Sequence, residues 1–235
     1  MPRTIIVGDL HGCTGELEEL LDQVRFVAGA DRLVMVGDLV ARGPDSHGAL
    51  ALVRRLGALA VRGNHEERLL TWRRRHEPLG PDHAHLAEAL SDEEWAQIEA
   101  LPLWLDLPEH GVRVVHGGVV PGQAIEETEP AALLKMRTLD ERGRWSSGAD
   151  DGDLWGARYV GPPHVVFGHN ARSEPQLHAW ATGLDTGCVY GGKLTALVLA
   201  DGESVPRGSR VAALLHGVPA VRRYYGTAGA KGAPL

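Results

Sequence analysis

TIIVGDLHG, residues Thr4 to Gly12, is a short apolar run that ends in two side chains of metal-ligand type, Asp9 and His11, set between Gly8 and Gly12. In an extended segment residues i and i+2 point the same way, so Asp9 and His11 can converge on one object. Taken alone the pair proves little, because Asp and Gly after a strand commonly do no more than make a turn. The rest of the chain decides.

The same punctuation recurs. VMVGDLVARG places Asp38, AVRGNHEE places Asn64 and His65, VVHGG places His116, and VVFGHN places His169, each just past an apolar, β-branched run. The runs at 5–7, 33–36, 59–61, 112–115 and 165–167 read as buried strands. Amphipathic stretches at 16–24 and 46–56 separate the first three; Leu17, Leu20, Leu21 and Val24 fall at helical spacing. The order β-α-β-α-β predicts a parallel α/β half, with the polar residues at the carboxyl ends of strands, where such sheets build their sites.

Residues 66–107 read as a mostly helical insertion in a single domain of residues 1–225. Ser91 and Glu94 form a capping box before Trp95, Ile98 and Leu101. His76, His83 and His85 in this segment are expected at the surface, since His83 and His85 lie on different faces of any helix. CVYGGKLTALVLADG predicts two strands joined by a tight Gly191-Gly192 turn, and so a mixed or second sheet. The terminal YYGTAGAKGAPL is small and Gly-rich, and residues 226–235 are expected to form a flexible tail.

Bulk properties narrow the function classes. The chain has 235 residues, 43% hydrophobic and 23% charged, an ordinary balance for a soluble globular protein. No apolar run approaches the roughly 20 residues that span a bilayer, so a membrane partner is not expected and a cytoplasmic location is. The net charge of -7 argues against a broad nucleic-acid groove. The basic run Arg73, Arg74, Arg75 reads as a solvated helix face, and Cys13 and Cys188 as free thiols.

Two carboxylates, one amide and three imidazoles (Asp9, Asp38, Asn64, His11, His116, His169) form a donor set too oxygen-rich for structural zinc and too nitrogen-rich for a calcium or magnesium cage. A pair of borderline divalent ions fits best, with Mn²⁺ first among Mn²⁺, Fe²⁺, Co²⁺ and Zn²⁺. Two such ions roughly 3.5–4 Å apart suit phosphoester hydrolysis.

GDLHG, GDLVARG, GNHE, HGG and GH, in this order, resemble the phosphoprotein phosphatase branch of the binuclear metallophosphoesterases, over about residues 4 to 199. The resemblance implies a four-layer α/β/β/α sandwich. It implies one metal held by Asp9, His11 and Asp38 and another by Asp38, Asn64, His116 and His169, with His65 as proton donor to the leaving group. Arg42 matches the family's phosphate-clamping arginine; Arg137 in LLKMRTLD matches a second one, with an exposed helix arginine as the alternative. Protein phosphatases carry an aspartate where this chain has Ala41, so something else must hold His65. GDLVARGPDS, VVFGHNA and GLDTGCVYGGKLTAL are instead similar to the bacterial symmetrical diadenosine tetraphosphatases. That similarity implies cleavage of diadenosine tetraphosphate to two ADP by a hydroxide bridging the metals. The alternatives are a Ser/Thr or broad-specificity protein phosphatase acting on phosphoproteins, removal of nucleotide caps from RNA 5′ ends, or a metal-holding module without catalysis. Trp104, Trp155, Tyr159 and Tyr190 are candidates to stack on adenine, with core packing as the alternative.

Overall fold

In the computed structural model, which describes residues 2–226, Arg3–Val7 forms the strand β1. Ile5, Ile6 and Val7 are fully buried although their side chains alternate across the sheet, so β1 is covered on both faces. Each of these side chains contributes about 1.5–3 kcal/mol through removal of apolar surface from water. Ile5 and Val7 join a core cluster with the helices, whereas Ile6 joins a second cluster facing another sheet.

The chain continues through α1 (Thr14–Gln23), β2 (Arg32–Met35), α2 (Ser46–Arg55) and β3 (Leu59–Ala60). β1, β2 and β3 pair in parallel, as the alternation of strand and helix predicts. Leu17, Leu20, Leu21 and Val24 are all buried beneath α1. Three helices follow, α3 (Asn64–Arg75), α4 (Pro81–Ala89) and α5 (Asp92–Glu99), the last opened by the Ser91/Glu94 capping box. The run Arg73, Arg74, Arg75 pairs with Glu99, Glu67 and Glu77 on an exposed face.

The second half contains β4 (Trp104–Leu107), β5 (Val112–Val115), α6 (Pro130–Lys135), β6 (Thr138–Leu139), β7 (Trp145–Ser146), β8 (Asp153–Leu154) and α7 (Trp155–Arg158). Then come β9 (His164–Phe167), β10 (Gln176–Leu177), β11 (Ala181–Gly183), β12 (Asp185–Thr186), β13 (Lys193–Ala200) and β14 (Leu215–Pro219). One sheet has the order β12-β13-β1-β2-β3 with β14 beside β13; the other runs β10-β11-β9-β5-β4; β7-β6-β8 form a small third sheet. Ile6, Val34 and Val36 of the first sheet meet Val112, Val114 and Val166 of the second in a shared core. Beyond the second sheet, Val115, Val165 and Phe167 pack on Leu133 of α6 and Trp155 of α7. The layers are therefore helix, sheet, sheet, helix, the expected four-layer sandwich.

Three local readings change. Residues 104–107, read as part of the helical segment, are a strand paired antiparallel with β5, because Pro102 precedes them and Leu107 lies in the inter-sheet core. The expected CVY strand is a 3₁₀ turn: Gly187 at φ 69° and Gly191 at φ 90° bracket it, and the strand that pairs with β13 is Asp185–Thr186. Tyr224 and Tyr225, read as the start of a frayed end, are tied down. Their backbone N–H groups both donate to the Val189 carbonyl, and the Tyr224 hydroxyl donates to Glu16 Oε1 at 2.8 Å. The expected flexible tail lies, from 227 on, outside the described residues.

Candidate metal centre

All five strand-end motifs converge above the carboxyl edges of β1, β2, β3, β5 and β9. The backbone there is strained: of the seven non-glycine residues with positive φ among the described residues, five are His11, Asp38, Ala41, Arg42 and His169. Such conformations cost of order 1–3 kcal/mol each and persist where surrounding structure enforces them. Glu66 is a principal enforcer. Its carboxylate accepts the N–H groups of Asp38, Leu39, Val40 and Gly63 at 2.8–3.2 Å, folding the Asp38 loop onto the start of α3. Burial, with Asp38 nearby, pushes Glu66 up to about 7. Gly63 is required here, since a Cβ would sit 2.2 Å from Asp38 Oδ1. Gly168 is required likewise, because a Cβ would lie 2.0 Å from Asp9 Oδ1.

Asp38 is the hub. Its Oδ2 is 3.6 Å from His11 Nε2 and its Oδ1 is 3.3 Å from His116 Nε2, while Oδ1 also accepts the His65 N–H at 3.0 Å. Asn64 Oδ1 lies 3.1 Å from His116 Nε2 and 2.7 Å from His169 Nδ1. Two groups of donor atoms result, each within 4.8 Å: His11, Asp38 and His65, and Asp38, His116 and His169. Asp9 stands beside these groups, both its oxygens accepting the His169 N–H at 3.0–3.1 Å.

The arrangement fits cations. His11 Nδ1, His116 Nδ1 and His169 Nε2 each face a backbone carbonyl (Val40, Val36 and Lys135, at 2.9–3.2 Å), and a carbonyl can only accept. Each ring must therefore carry a proton on that side, which leaves the opposite nitrogen free to turn a lone pair toward carboxylate and amide oxygens. A positive charge between them, a proton or a metal ion, satisfies such a pairing of acceptors. The electrostatics agree: burial opposes charge on His116, but Asp38 and Asp9 outweigh it and push the imidazole up to about 10. A metal would replace that proton. Burial holds His11 and His169 below the usual range, His169 further so by the charge on His116, and both suit neutral ligands.

Other expected residues fall as follows. Arg42 and Arg137 both line a cavity of about 340 Å³ over the centre, together with Asp38, Asn64, His169, Asn170, Asp185, Tyr190 and Tyr225. The Arg42 guanidinium lies 5.7 Å from the Tyr190 ring and 5.5 Å from the Tyr225 ring, a geometry of mutual attraction. Arg137 follows α6 rather than lying in it; one of its terminal nitrogens faces the His169 carbonyl at 3.5 Å. Of the four aromatics considered for adenine, only Tyr190 faces this cavity. Trp155 packs on Phe167 in the core, Trp104 packs against the same cluster, and the Tyr159 hydroxyl donates to the Pro163 carbonyl.

His65 is buried beside the Asp38 group. Burial is the largest influence and, with His11, Arg42 and His83 against the pull of Asp38, lowers it to about 2. His76 and His85 are exposed as expected, but His83 is buried and stacks on His65. The error has a physical source: His83, Leu86, Ala87 and Leu90 occupy one face at helical spacing, and that face enters the core. Asp185 and Tyr225 were also missed. Asp185 ends a buried run just as Asp9 and Asp38 do, and that pattern could have flagged it; nothing local marks Tyr225. Cys13 and Cys188 are free, as expected, and buried against one another near Glu16.

The comparisons with known proteins place this geometry. The chain is 34% identical over 209 residues to Serine/threonine-protein phosphatase 1 of Salmonella typhimurium, covering 81% of this chain and 88% of that one. It is 30% identical to the asymmetrical bis(5′-nucleosyl)-tetraphosphatase PrpE of Oceanobacillus iheyensis, over 87% of this chain and 92% of the relative. It is 31% identical to the symmetrical bis(5′-nucleosyl)-tetraphosphatase of Chromohalobacter salexigens, over 85% and 96%. A crystal structure described as that of a candidate diadenosine tetraphosphatase superposes with a TM-score of 0.81 at 36% identity, covering 97% of this chain and 95% of the other. Residues 2–205 match the calcineurin-like phosphoesterase family, and the chain belongs to that family of metallophosphoesterases.

Proposed function

We propose that this chain hydrolyses dinucleoside polyphosphates and cuts diadenosine tetraphosphate symmetrically to two ADP. The observation that carries the reading is the cavity over the centre, where two arginines, Arg42 and Arg137, stand with two tyrosines, Tyr190 and Tyr225. That pairing matches a ligand that is a polyanion along its middle and aromatic at its ends. Asp9, His11 and Asp38 would hold one divalent ion, and Asp38, Asn64, His116 and His169 the other, with Mn²⁺ as the proposed metal and Fe²⁺, Co²⁺ or Zn²⁺ as alternatives. Bound there, such ions supply charge neutralisation and a lowered pKa for water.

The chain's own groups supply the rest. Arg42 and Arg137, which both line the cavity, hold equatorial phosphate oxygens. His65, buried beside the Asp38 group, donates to the departing oxygen. ADP leaves as a comparatively stable anion and needs less help from that donor than a serine alkoxide does, so the lack of an aspartate at Ala41 is better tolerated in polyphosphate cleavage. This counts against the protein-phosphatase reading, which the likeness to the Salmonella phosphatase favours.

The test is product analysis under Mn²⁺ with diadenosine tetraphosphate, a phosphoserine peptide and a capped RNA at matched concentrations. ADP is expected as the nucleotide product, with kcat/KM far above that for the peptide. A preference for the peptide would overturn the reading, and AMP with ATP in equal amounts would contradict the symmetrical cut.

A further inference from the structure

Among the described residues, neither ring nitrogen of His65 is held by a hydrogen bond. Its Nδ1 is buried with no partner among them, and its Nε2 is 3.9 Å from the nearest oxygen of Asp38, beyond hydrogen-bonding distance. The final torsion of a histidine has no sharp preference of its own, so the plane of this ring must be set by what packs on it. Two rings do so. His11 meets His65 edge-on, with centroids 4.7 Å apart at 77°, and is itself fixed through Val40. His83 lies face-on, with centroids 4.8 Å apart at 28°.

His83 comes from α4, whose Leu86, Ala87 and Leu90 anchor the same helix face in the core, leaving His83 only 8% exposed. Its own Nε2 is buried without a partner among the described residues, an arrangement unfavourable to folding that a leucine would avoid. What the imidazole offers that a leucine does not is a flat face.

Resting on the proton-donor reading of His65, we propose that His83 is its positioning residue: the flat ring of the helical segment stops the His65 ring from rotating and keeps its N–H aimed at the departing oxygen. A stacked ring takes the place of a carboxylate at position 41, where this chain has Ala41, and α4 thereby positions the donor without touching substrate.

The experiment compares His83→Phe with His83→Leu in the Mn²⁺-loaded full chain. Both residues fill the site, but only phenylalanine restores a flat face. Turnover is measured on phosphate esters graded from nitrophenyl to phenyl leaving groups, alongside His65→Asn and the double variant His65→Asn/His83→Leu. His83→Phe is expected to stay within about threefold of wild type. His83→Leu is expected to lose roughly tenfold on the poorest leaving group and little on the best, with KM and metal content unchanged, and to add nothing to His65→Asn. Equal behaviour of the Phe and Leu variants, a loss uniform across leaving groups, or a further loss in the double variant would each overturn the role of His83. A steep leaving-group dependence for His65→Asn with a flat one for His83→Leu removes His83 alone. A flat dependence for His65→Asn removes the proton-donor reading and this proposal with it.

Discussion

Replacing Asp38 by asparagine should reduce turnover of diadenosine tetraphosphate on the order of 10³-fold or more and lower the bound metal below two ions per chain. Among the described residues only Asp38 belongs to both histidine groups: one carboxylate oxygen approaches His11 at 3.6 Å and the other approaches His116 at 3.3 Å. Asparagine keeps the shape and can still accept the His65 N–H, so the loop survives. It loses the negative charge that makes the two groups one site. Burial opposes ionisation of Asp38, but the neighbouring histidines, His116 foremost, outweigh it and hold the carboxyl well below the usual carboxylate range. Metal analysis alongside kcat checks the result, and a variant that keeps both ions and most of its activity would show that Asp38 does not bridge.

His65→Asn should behave differently. Its backbone N–H still reaches Asp38, and neither proposed metal shell needs its ring, so folding and metal content should be retained. Turnover should fall by roughly 10²–10⁴-fold on substrates with poor leaving groups, the usual scale for a positioned proton donor, and by less when ADP departs. The dependence of that loss on the leaving group is the informative part, because it separates proton donation from simple crowding of the site. If the substitution empties the centre instead, His65 is a ligand, as its place in the His11–Asp38 group would also permit.

How much of this was legible in the sequence depends on how local each cause is. The strand ends were readable because a buried run followed by Gly and a polar residue is a property of a few neighbours, and five repetitions made coincidence untenable. The two-sheet sandwich was not visible in spacing alone; it entered through the motif order and its resemblance. His83 was misread although its periodicity with Leu86, Ala87 and Leu90 was present, because its polarity was weighed above the face it shares. Tyr225 reaches the cavity only because the Val189 carbonyl accepts the N–H groups of both terminal tyrosines, a contact no window of sequence contains. The Glu66 clamp lay in plain view within GNHE, yet its four backbone partners are defined only once β2 and α3 are adjacent.

The central claim is that the converging strand ends hold two divalent ions with Asp38 between them. Anomalous diffraction from crystals grown with Mn²⁺ tests it most directly. Two peaks roughly 3.5–4 Å apart are expected, one against Asp9, His11 and Asp38 and the other against Asp38, Asn64, His116 and His169. A single peak, or density only at the buried Cys13, Glu16 and Cys188 cluster, would contradict it.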